Sequence, residues 1–363
     1  MKLNSLPDEA DGFKAYPVEF CGIESYLIIP SIDAKWNRQN LIYRSLIVRG
    51  SDFEVCSSGF SKFMNYGEKP DAYPDPEKFR DWVITEKKDG SLVICDYFND
   101  KFNMRTRGTV SHTSQDNAED FELLPILYPE LPEFLKQNSN YSLLFEVMTP
   151  NNVIVLRSDE VTFTFLGGIN KQDCSALPQS QVDAIAQTLG LPQPEKYKFN
   201  DLTDLISIVS AWRGKEGVVV AYNNNQNMVK FKGEWYCCLH RIKSELSSEN
   251  NLIEYYVKEG MPNYQTFYNT ILTSFDFEIA EQLKGSISRM VDAGKNVKNT
   301  VTHMQEFIRG MSKFESRKEQ ALAIIQSYGG EKNNKSGMCF KILDGKELSK
   351  EDYIKLMWQN LKN

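Results

Sequence analysis

The sequence predicts an α+β protein, with an N-terminal domain of antiparallel sheets and flanking helices over residues 1–243 and an all-α C-terminal domain over 244–363. Three observations predict it. Short runs rich in β-branched and aromatic residues recur through the first two thirds of the chain. Asn/Asp/Gly clusters such as Asn99-Asp100 and Asn223-Asn224-Asn225 separate several of them and read as hairpin turns. After about Lys243 the texture changes: no proline follows Pro262, and apolar residues recur at steps of three and four.

The strands follow in order: residues 82–85, 91–98, 102–106, 141–148, 153–156, 161–166, 217–222 and 228–235. Val182, Ile185, Ala186 and Leu189 have helix spacing between them, as do Leu202, Leu205, Ile206 and Val209. In the C-terminal part, Ile279, Leu283, Ile287 and Met290 form one amphipathic series. Val297, Val301, Met304, Ile308 and Met311 form a second. No repeat or low-complexity segment interrupts the chain.

The 363 residues allow one large domain or two ordinary ones. A net charge of -7 argues against a general nucleic-acid coat, yet it leaves room for a local basic patch. The seven cysteines are scattered and form no CxxC pair, and the three histidines are dispersed. Zinc ribbons, disulfide frameworks and a histidine metal site are therefore not expected. The polar, acidic start does not read as a secretory signal, and no apolar run approaches transmembrane length. A cytoplasmic protein without a membrane partner is expected.

Five segments carry candidate chemistry. Glu86-Lys87-Lys88-Asp89-Gly90-Ser91 places a lysine where one strand ends and the next begins, with a glycine that lets the backbone turn. Alone it reads more readily as a hairpin turn with solvated lysines. Arg105-Thr106-Arg107-Gly108 puts two arginines at i and i+2, on one face of a strand, suited to surface charge or to phosphate. Glu146 is a lone carboxylate in an apolar strand, costly to bury unless paired. It faces water at an edge, or it lines a pocket and holds a sugar hydroxyl or a metal. Lys215-Glu216-Gly217 sets another acid at the entry to an apolar strand. Lys230 and Lys232 alternate with Val229 and Phe231, so both lysines share a face, which for such a pair is usually a solvated one.

The order of these segments is more informative than any one of them: KxDG, an arginine strand, a carboxylate strand, EGxV and KxK. A second KxK, Lys196-Tyr197-Lys198, precedes EGxV and falls out of that order. The set resembles the five motifs of the covalent nucleotidyltransferases, which include ATP-dependent DNA and RNA ligases and mRNA-capping enzymes. In detail it is most similar to the T-even-phage type of RNA ligase that repairs broken tRNA. That likeness rests on Val48-Arg49-Gly50 with Phe53-Glu54, Lys62-Phe63-Met64-Asn65, and Lys87-Lys88-Asp89-Gly90-Ser91-Leu92-Val93. It continues in Phe145-Glu146-Val147 with Thr149-Pro150-Asn151, and in Lys230-Phe231-Lys232 with Trp235-Tyr236 and Leu239-His240. It covers roughly residues 40–245; the helical tail shows only a general likeness.

The resemblance implies an N-terminal adenylyltransferase domain that uses ATP with Mg2+ (or Mn2+). Lys87 would take AMP from ATP, pass it to an RNA 5′-phosphate, and seal that end to a 3′-hydroxyl. A lysine nucleophile must be neutral, so its pKa of ~10.4 has to fall by roughly two to three units. Lys230 and Lys232 are the implied like-charged neighbours. Asp89 would orient Lys87 or its surroundings. Arg49, Lys62 and Arg107 match phosphate-contacting positions, Glu146 the ribose carboxylate, and Glu216 an acid near adenosine and metal. Glu86 and Tyr236 belong to the same nucleotide-binding set. Phe163 or Phe165 would stack on the base, although either one taken singly reads more readily as core packing. Lys88 stands where the phage-type ligase has an acid, and no clear match to a further metal-assisting acid follows Leu252. The implied substrate is RNA, specifically tRNA with a broken anticodon loop, selected by the helical tail of a monomer (in the host cytoplasm, if phage-encoded). DNA ligases and capping enzymes share the motifs but usually carry a β-barrel where this chain reads as helical. An inactive RNA-binding module of the same fold is the other alternative.

Overall fold

The computed structural model describes residues 1–114, 118–151, 153–246, 248–274, 280, 283–329 and 335–362. They form two compact units, residues 1–238 and 239–363. The first holds three sheets. Strands β1 (Phe13–Phe20), β2 (Ile23–Pro30), β3 (Leu46–Arg49) and β4 (Val55–Ser58) form an antiparallel meander in chain order. The β1–β2 hairpin lies outside the predicted strands. It turns at Cys21-Gly22, both with positive φ, without the Asn/Asp signal that marks the other hairpins.

The other two sheets build the site. One has the order β11-β10-β9-β7-β8, from β7 (Ser91–Phe98), β8 (Lys101–Arg105), β9 (Tyr141–Met148), β10 (Thr162–Asn170) and β11 (Ser175–Ala176). The other has the order β12-β6-β13-β14-β5, from β5 (Met64–Asn65), β6 (Val83–Lys87), β12 (Lys196–Tyr197), β13 (Gly217–Tyr222) and β14 (Asn227–Lys232). Asn99-Asp100 makes the two-residue β7–β8 turn with both φ positive, as its residue types require.

Each of these sheets buries one face under helices. Val93, Cys95, Phe145, Val147, Phe163 and Phe165 pack with residues of α1 (Ala118–Leu127), α2 (Leu131–Gln137) and α3 (Gln179–Leu189). Ile84, Val218, Val220, Val229 and Phe231 pack with Leu202, Leu205 and Val209 of α4 (Leu202–Ser210). The period-two alternation that buries these residues turns their neighbours to the opposite faces.

Three predicted segments differ. Residues 153–156 are not a strand. The backbone N–H groups of Val155 and Leu156 donate to the Asp89 carboxylate at 2.8 and 2.6 Å, so they are committed to a side chain and not to a ladder. The strand predicted over 228–235 ends at Lys232, and a helix begins at Glu234. Arg105 and Arg107 do not share a strand face, because β8 ends at Arg105. Arg105 is fully buried and donates to Ser57 Oγ at 2.6 Å and to Ser45 Oγ and O, each at 3.1 Å. Ser57 and Ser142 in turn donate to the buried Asp96. Burial of Arg105 is thus offset by a polar network, and it has no part in a ligand site.

The second unit, among the described residues, is helical: α5 (Glu234–Leu246, entering from the first unit), α6 (Glu249–Lys258), α7 (Tyr264–Ser274), α8 (Lys284–Arg309), α9 (Arg317–Tyr328), α10 (Ser336–Leu343) and α11 (Lys350–Leu361). The two predicted amphipathic series fall largely on one helix, α8, which buries Ile287, Met290, Val297, Val301 and Met304. Ile279 lies outside the described residues. No described helix is long and apolar enough to cross a membrane.

Candidate active site

Pairing in the second of the two site sheets sets the chemistry. Gly217 of β13 registers with Lys87 of β6 on one side and Lys232 of β14 on the other. The preceding residue, Glu216, therefore sits between two lysines. Its Oε2 is 2.8 Å from Lys87 Nζ and its Oε1 is 2.8 Å from Lys232 Nζ. The carboxylate is almost wholly buried, at 2% exposure, a cost that only such double pairing offsets. One step along, Lys230, Val219 and Thr85 register and face the same side.

That side forms one wall of a pocket of about 550 Å3, within the range of small-molecule sites. The wall carries Val83, Thr85, Lys87, Val219, Ala221, Met228, Lys230 and Lys232. The sheet containing β9 supplies the facing wall, with Leu92, Glu146 and Leu166. Leu166 reaches it because a bulge interrupts the β9–β10 register between Phe165 and Gly167.

Glu146 registers with Leu92 and Thr164, and its Oε1 accepts from the Gly90 N–H at 3.0 Å. A Cβ on Gly90 would stand 2.3 Å from the Val147 carbonyl oxygen, so only glycine allows the KxDG turn to lie against β9. Burial pushes the Glu146 carboxyl up to about 7; Lys87 and the Gly90 N–H oppose the rise, and Glu216 adds to it. Burial brings Lys230 down to about 8, helped by Arg44, Lys232, Lys62 and Lys87.

A family model described as RNA ligase matches residues 43–236. The chain belongs to this RNA ligase family. Comparison with curated proteins returns no match. Among solved structures, an archaeal ATP-dependent RNA ligase is 16% identical over 94% of this chain and 94% of its own, with a TM-score of 0.48. A putative ATP-dependent DNA ligase from Aquifex aeolicus is 15% identical over 94% of this chain and 98% of its own, with a TM-score of 0.46. A Naegleria gruberi RNA ligase mutant with ATP and Mn is 12% identical over 44% of this chain and 51% of its own, with a TM-score of 0.38. The chain thus spans about half the length of that Naegleria gruberi protein.

In this RNA ligase family member the pocket gathers Glu86, Lys87, Arg107, Glu146, Lys230 and Lys232 from the residues named by sequence, with Glu216 bridging two of its lysines. Others stand elsewhere. Arg49 is outside the pocket lining, its guanidinium 2.8 Å from Glu54 and 3.7 Å from Asp52. Lys62 lines a smaller neighbouring cavity of about 80 Å3, over the Trp36 ring at 5.6 Å; it reaches the pocket only through its charge on Lys230. Asp89 does not touch Lys87. It is 3% exposed and takes the Val155 and Leu156 N–H groups and the Tyr236 hydroxyl, the last at 2.5 Å, so it pins the residue 153–156 segment to the base of α5. Tyr236 is accordingly a buried donor to Asp89, with its hydroxyl pKa raised by burial and then by Glu216 and Asp89.

Phe163 is likewise on the wrong face to stack on a ligand. The strand neighbour of Glu146 is Thr164, so Phe163 and Phe165 on either side both turn into the helix-covered core. Phe165 still contributes to the pocket lining, beside Leu166. Phe163→Leu is expected to cost about 1 kcal/mol of stability by partial loss of core volume. It should leave nucleotide affinity unchanged in calorimetric titration, whereas a stacking residue would lose affinity.

The sequence reading missed Arg44. It ends a short 3-10 helix (Leu41–Arg44), lines the pocket, and lies over the Phe63 ring at 5.1 Å. Burial lowers its guanidinium pKa to about 10, with Arg107 also pressing it down and Glu146 opposing. Arg44 and Arg107 therefore concentrate positive charge opposite Lys230. No sequence signal marked Arg44, since one arginine beside an aromatic residue is ordinary.

The pocket fits a hydrated divalent cation. Among the described residues no three His, Cys, Asp or Glu side chains gather as a protein cage. Mg2+ typically needs one or two carboxylates, substrate phosphates and waters instead. Glu146 has one oxygen on Gly90 and the other without a hydrogen bond among the described residues. Glu216 is already held by two lysines, which leaves Glu146 the better placed acid.

Proposed function

We propose that this chain is an ATP-dependent RNA ligase that joins 5′-phosphate and 3′-hydroxyl ends through a lysyl-AMP and an RNA-adenylate. The observation that carries the reading is the buried Glu216 carboxylate holding two pocket-lining lysines, Lys87 and Lys232, on its two oxygens, each at 2.8 Å. Glu216 aims Lys87 Nζ and offers a carboxylate beside the proton the amine must shed. The new P–N bond forms at the α-phosphorus as the P–O bond to pyrophosphate breaks. Lys230, Lys232, Arg107 and Arg44 face the negative charge on the phosphates. Glu146 accepts from a ribose hydroxyl or holds the hydrated cation. A cation held there, Mg2+ in this reading, would supply positive charge to neutralise the phosphate oxygens.

AMP then passes to an RNA 5′-phosphate, and a 3′-hydroxyl displaces it. The helical unit beyond residue 238 selects the RNA, a tRNA cleaved in its anticodon loop being the substrate class the family likeness favours. The test is incubation with α-labelled ATP and Mg2+ or Mn2+, followed by denaturing electrophoresis. A labelled band that acid releases is expected; a protein that stays unlabelled with both metals refutes the reading.

Lys230 adds a pH signature. Its pKa near 8 in the nucleotide-free fold means that the cation is lost as pH rises through that value. Triphosphate beside it favours the charged form and restores the proton. ATP binding at about pH 8.5 should therefore take up a large fraction of one proton, and little at about pH 7. Calorimetry in buffers of different ionisation enthalpy reads this directly. Lys230→Arg should abolish the uptake, and an uptake equal at both pH values would refute the assignment.

A further inference from the structure

One end of the pocket is the Lys87–Gly217–Lys232 row; four residues along the same strands, Val83, Ala221 and Met228 register. At ~3.3 Å per residue the two rows are ~13 Å apart, the scale of a mononucleotide from its α-phosphate to the outer edge of its base. The turn between β13 and β14 lies just beyond the second row. There Asn225, only 6% exposed, stands on the pocket wall. Its Nδ2 donates to the Leu177 carbonyl at 3.1 Å and to Gln179 Oε1 at 3.2 Å. Its Oδ1 is buried and has no hydrogen-bond partner.

The neighbours fix which way this amide points. Asp183 accepts at one oxygen from Gln179 Nε2 at 2.8 Å, Gln193 Nε2 at 2.9 Å and Lys196 Nζ at 2.8 Å. Burial pushes the Asp183 carboxyl up, but these donors outweigh it and hold it below the usual range, so it only accepts. Gln179 must then give its Nε2 to Asp183 and present Oε1 to Asn225. Asn225 must in turn donate with Nδ2, which the Leu177 carbonyl demands as well. Its Oδ1 is left as an acceptor that cannot exchange places with the nitrogen.

We propose that Asn225 Oδ1 accepts a hydrogen bond from the amino group at position 6 of adenine, which makes Asn225 the residue that selects ATP over GTP. The inference rests on the nucleotide-binding reading of this pocket. Adenine carries an N–H2 donor at that position and guanine a carbonyl oxygen. Guanine would set one acceptor against another and leave the buried Asn225 Oδ1 unsatisfied. The nearby donors Gln179, Gln193 and Lys196 are each drawn to Asp183 by a hydrogen bond, so a guanine carbonyl would have to compete with that carboxylate for them.

The test compares ATP, purine riboside triphosphate (hydrogen in place of the amine) and GTP, on wild type and Asn225→Gly. Glycine suits this position, since Asn225 has φ 64. Calorimetric affinity and lysyl-nucleotide labelling are both read. Wild type should bind ATP roughly 10–100-fold more tightly than the other two. In Asn225→Gly, ATP and purine riboside triphosphate should bind within about threefold of each other. Equal binding of those two by wild type, or a full preference kept in Asn225→Gly, overturns the inference, and labelling by ATP in that case leaves the ligase reading standing. A base preference lost in Asn225→Gly, without labelling by any nucleotide, supports this role and refutes the lysyl-AMP step. No nucleotide binding at all overturns both. If Asn225→Gly fails to fold, the wild-type comparison of ATP with purine riboside triphosphate decides.

Discussion

Lys87→Ala is expected to abolish labelling by ATP and sealing of 5′-phosphate RNA, each by about 10^3-fold or more, while sealing of RNA already carrying AMP on its 5′-phosphate continues. The first reaction needs a nitrogen at this position to bond phosphorus, and no neighbour substitutes. Lys230 comes from a strand two places away in the sheet, and Lys232 is tied to the opposite oxygen of Glu216. The last reaction needs only the charge around the phosphate and the aimed 3′-hydroxyl. Alanine leaves that charge largely in place, because Glu216 keeps Lys232 as its partner at 2.8 Å. Sealing assays with 5′-phosphate and pre-adenylated RNA, run side by side, separate the steps. Equal loss of both would mean that Lys87 holds the site together and is not the nucleophile.

Gly217→Ala should be the most damaging small substitution in the pocket, costing roughly 2–4 kcal/mol of stability and removing labelling even where the protein remains folded. The residue has φ +151, and an added Cβ would meet the Phe231 carbonyl oxygen at 2.0 Å and Lys232 Cα at 2.8 Å. Both are backbone atoms of β14, so relief requires that β13 and β14 part. That movement takes Lys232 away from Glu216 and leaves a buried carboxylate half-paired. Gly285→Ala is the control: it lies in the first turn of α8 with nothing within 4 Å of the added carbon, so the midpoint should not fall. Urea denaturation with labelling at each midpoint tests the pair. An unchanged midpoint for Gly217→Ala, with labelling intact, would show that this strand contact is not needed.

The glycine also shows what was legible in advance. EGxV could be read as an acid at the entry to a buried strand, and KxK as two lysines on one face; both features are local and period two reports them. Lys232 reaches Glu216 through the β13–β14 hairpin, but the register that brings Lys87 to its other side joins residues 129 positions apart, and no local pattern carries it. The same limit explains Phe163. Alternation shows that it opposes Thr164, but which face the helices cover is settled only when α1, α2 and α3 pack. The motif implies that Asp89 orients Lys87 or its surroundings; its bonds go to Val155, Leu156 and Tyr236, on segments distant in sequence.

By itself, then, the sequence determined the α+β character, the strand-rich first two thirds and the helical remainder, most pocket strands, and the order of acids and bases that marks the family. These are properties of side-chain period, turn residues and motif order along one chain. Only the tertiary structure decided that Arg44 joins the pocket, that Arg49 and Phe163 do not, and that Asn225 is left with an unpaired acceptor. The reason is physical: burial, pairing and a missing partner belong to the space between elements, and that space exists only after two sheets have closed on each other.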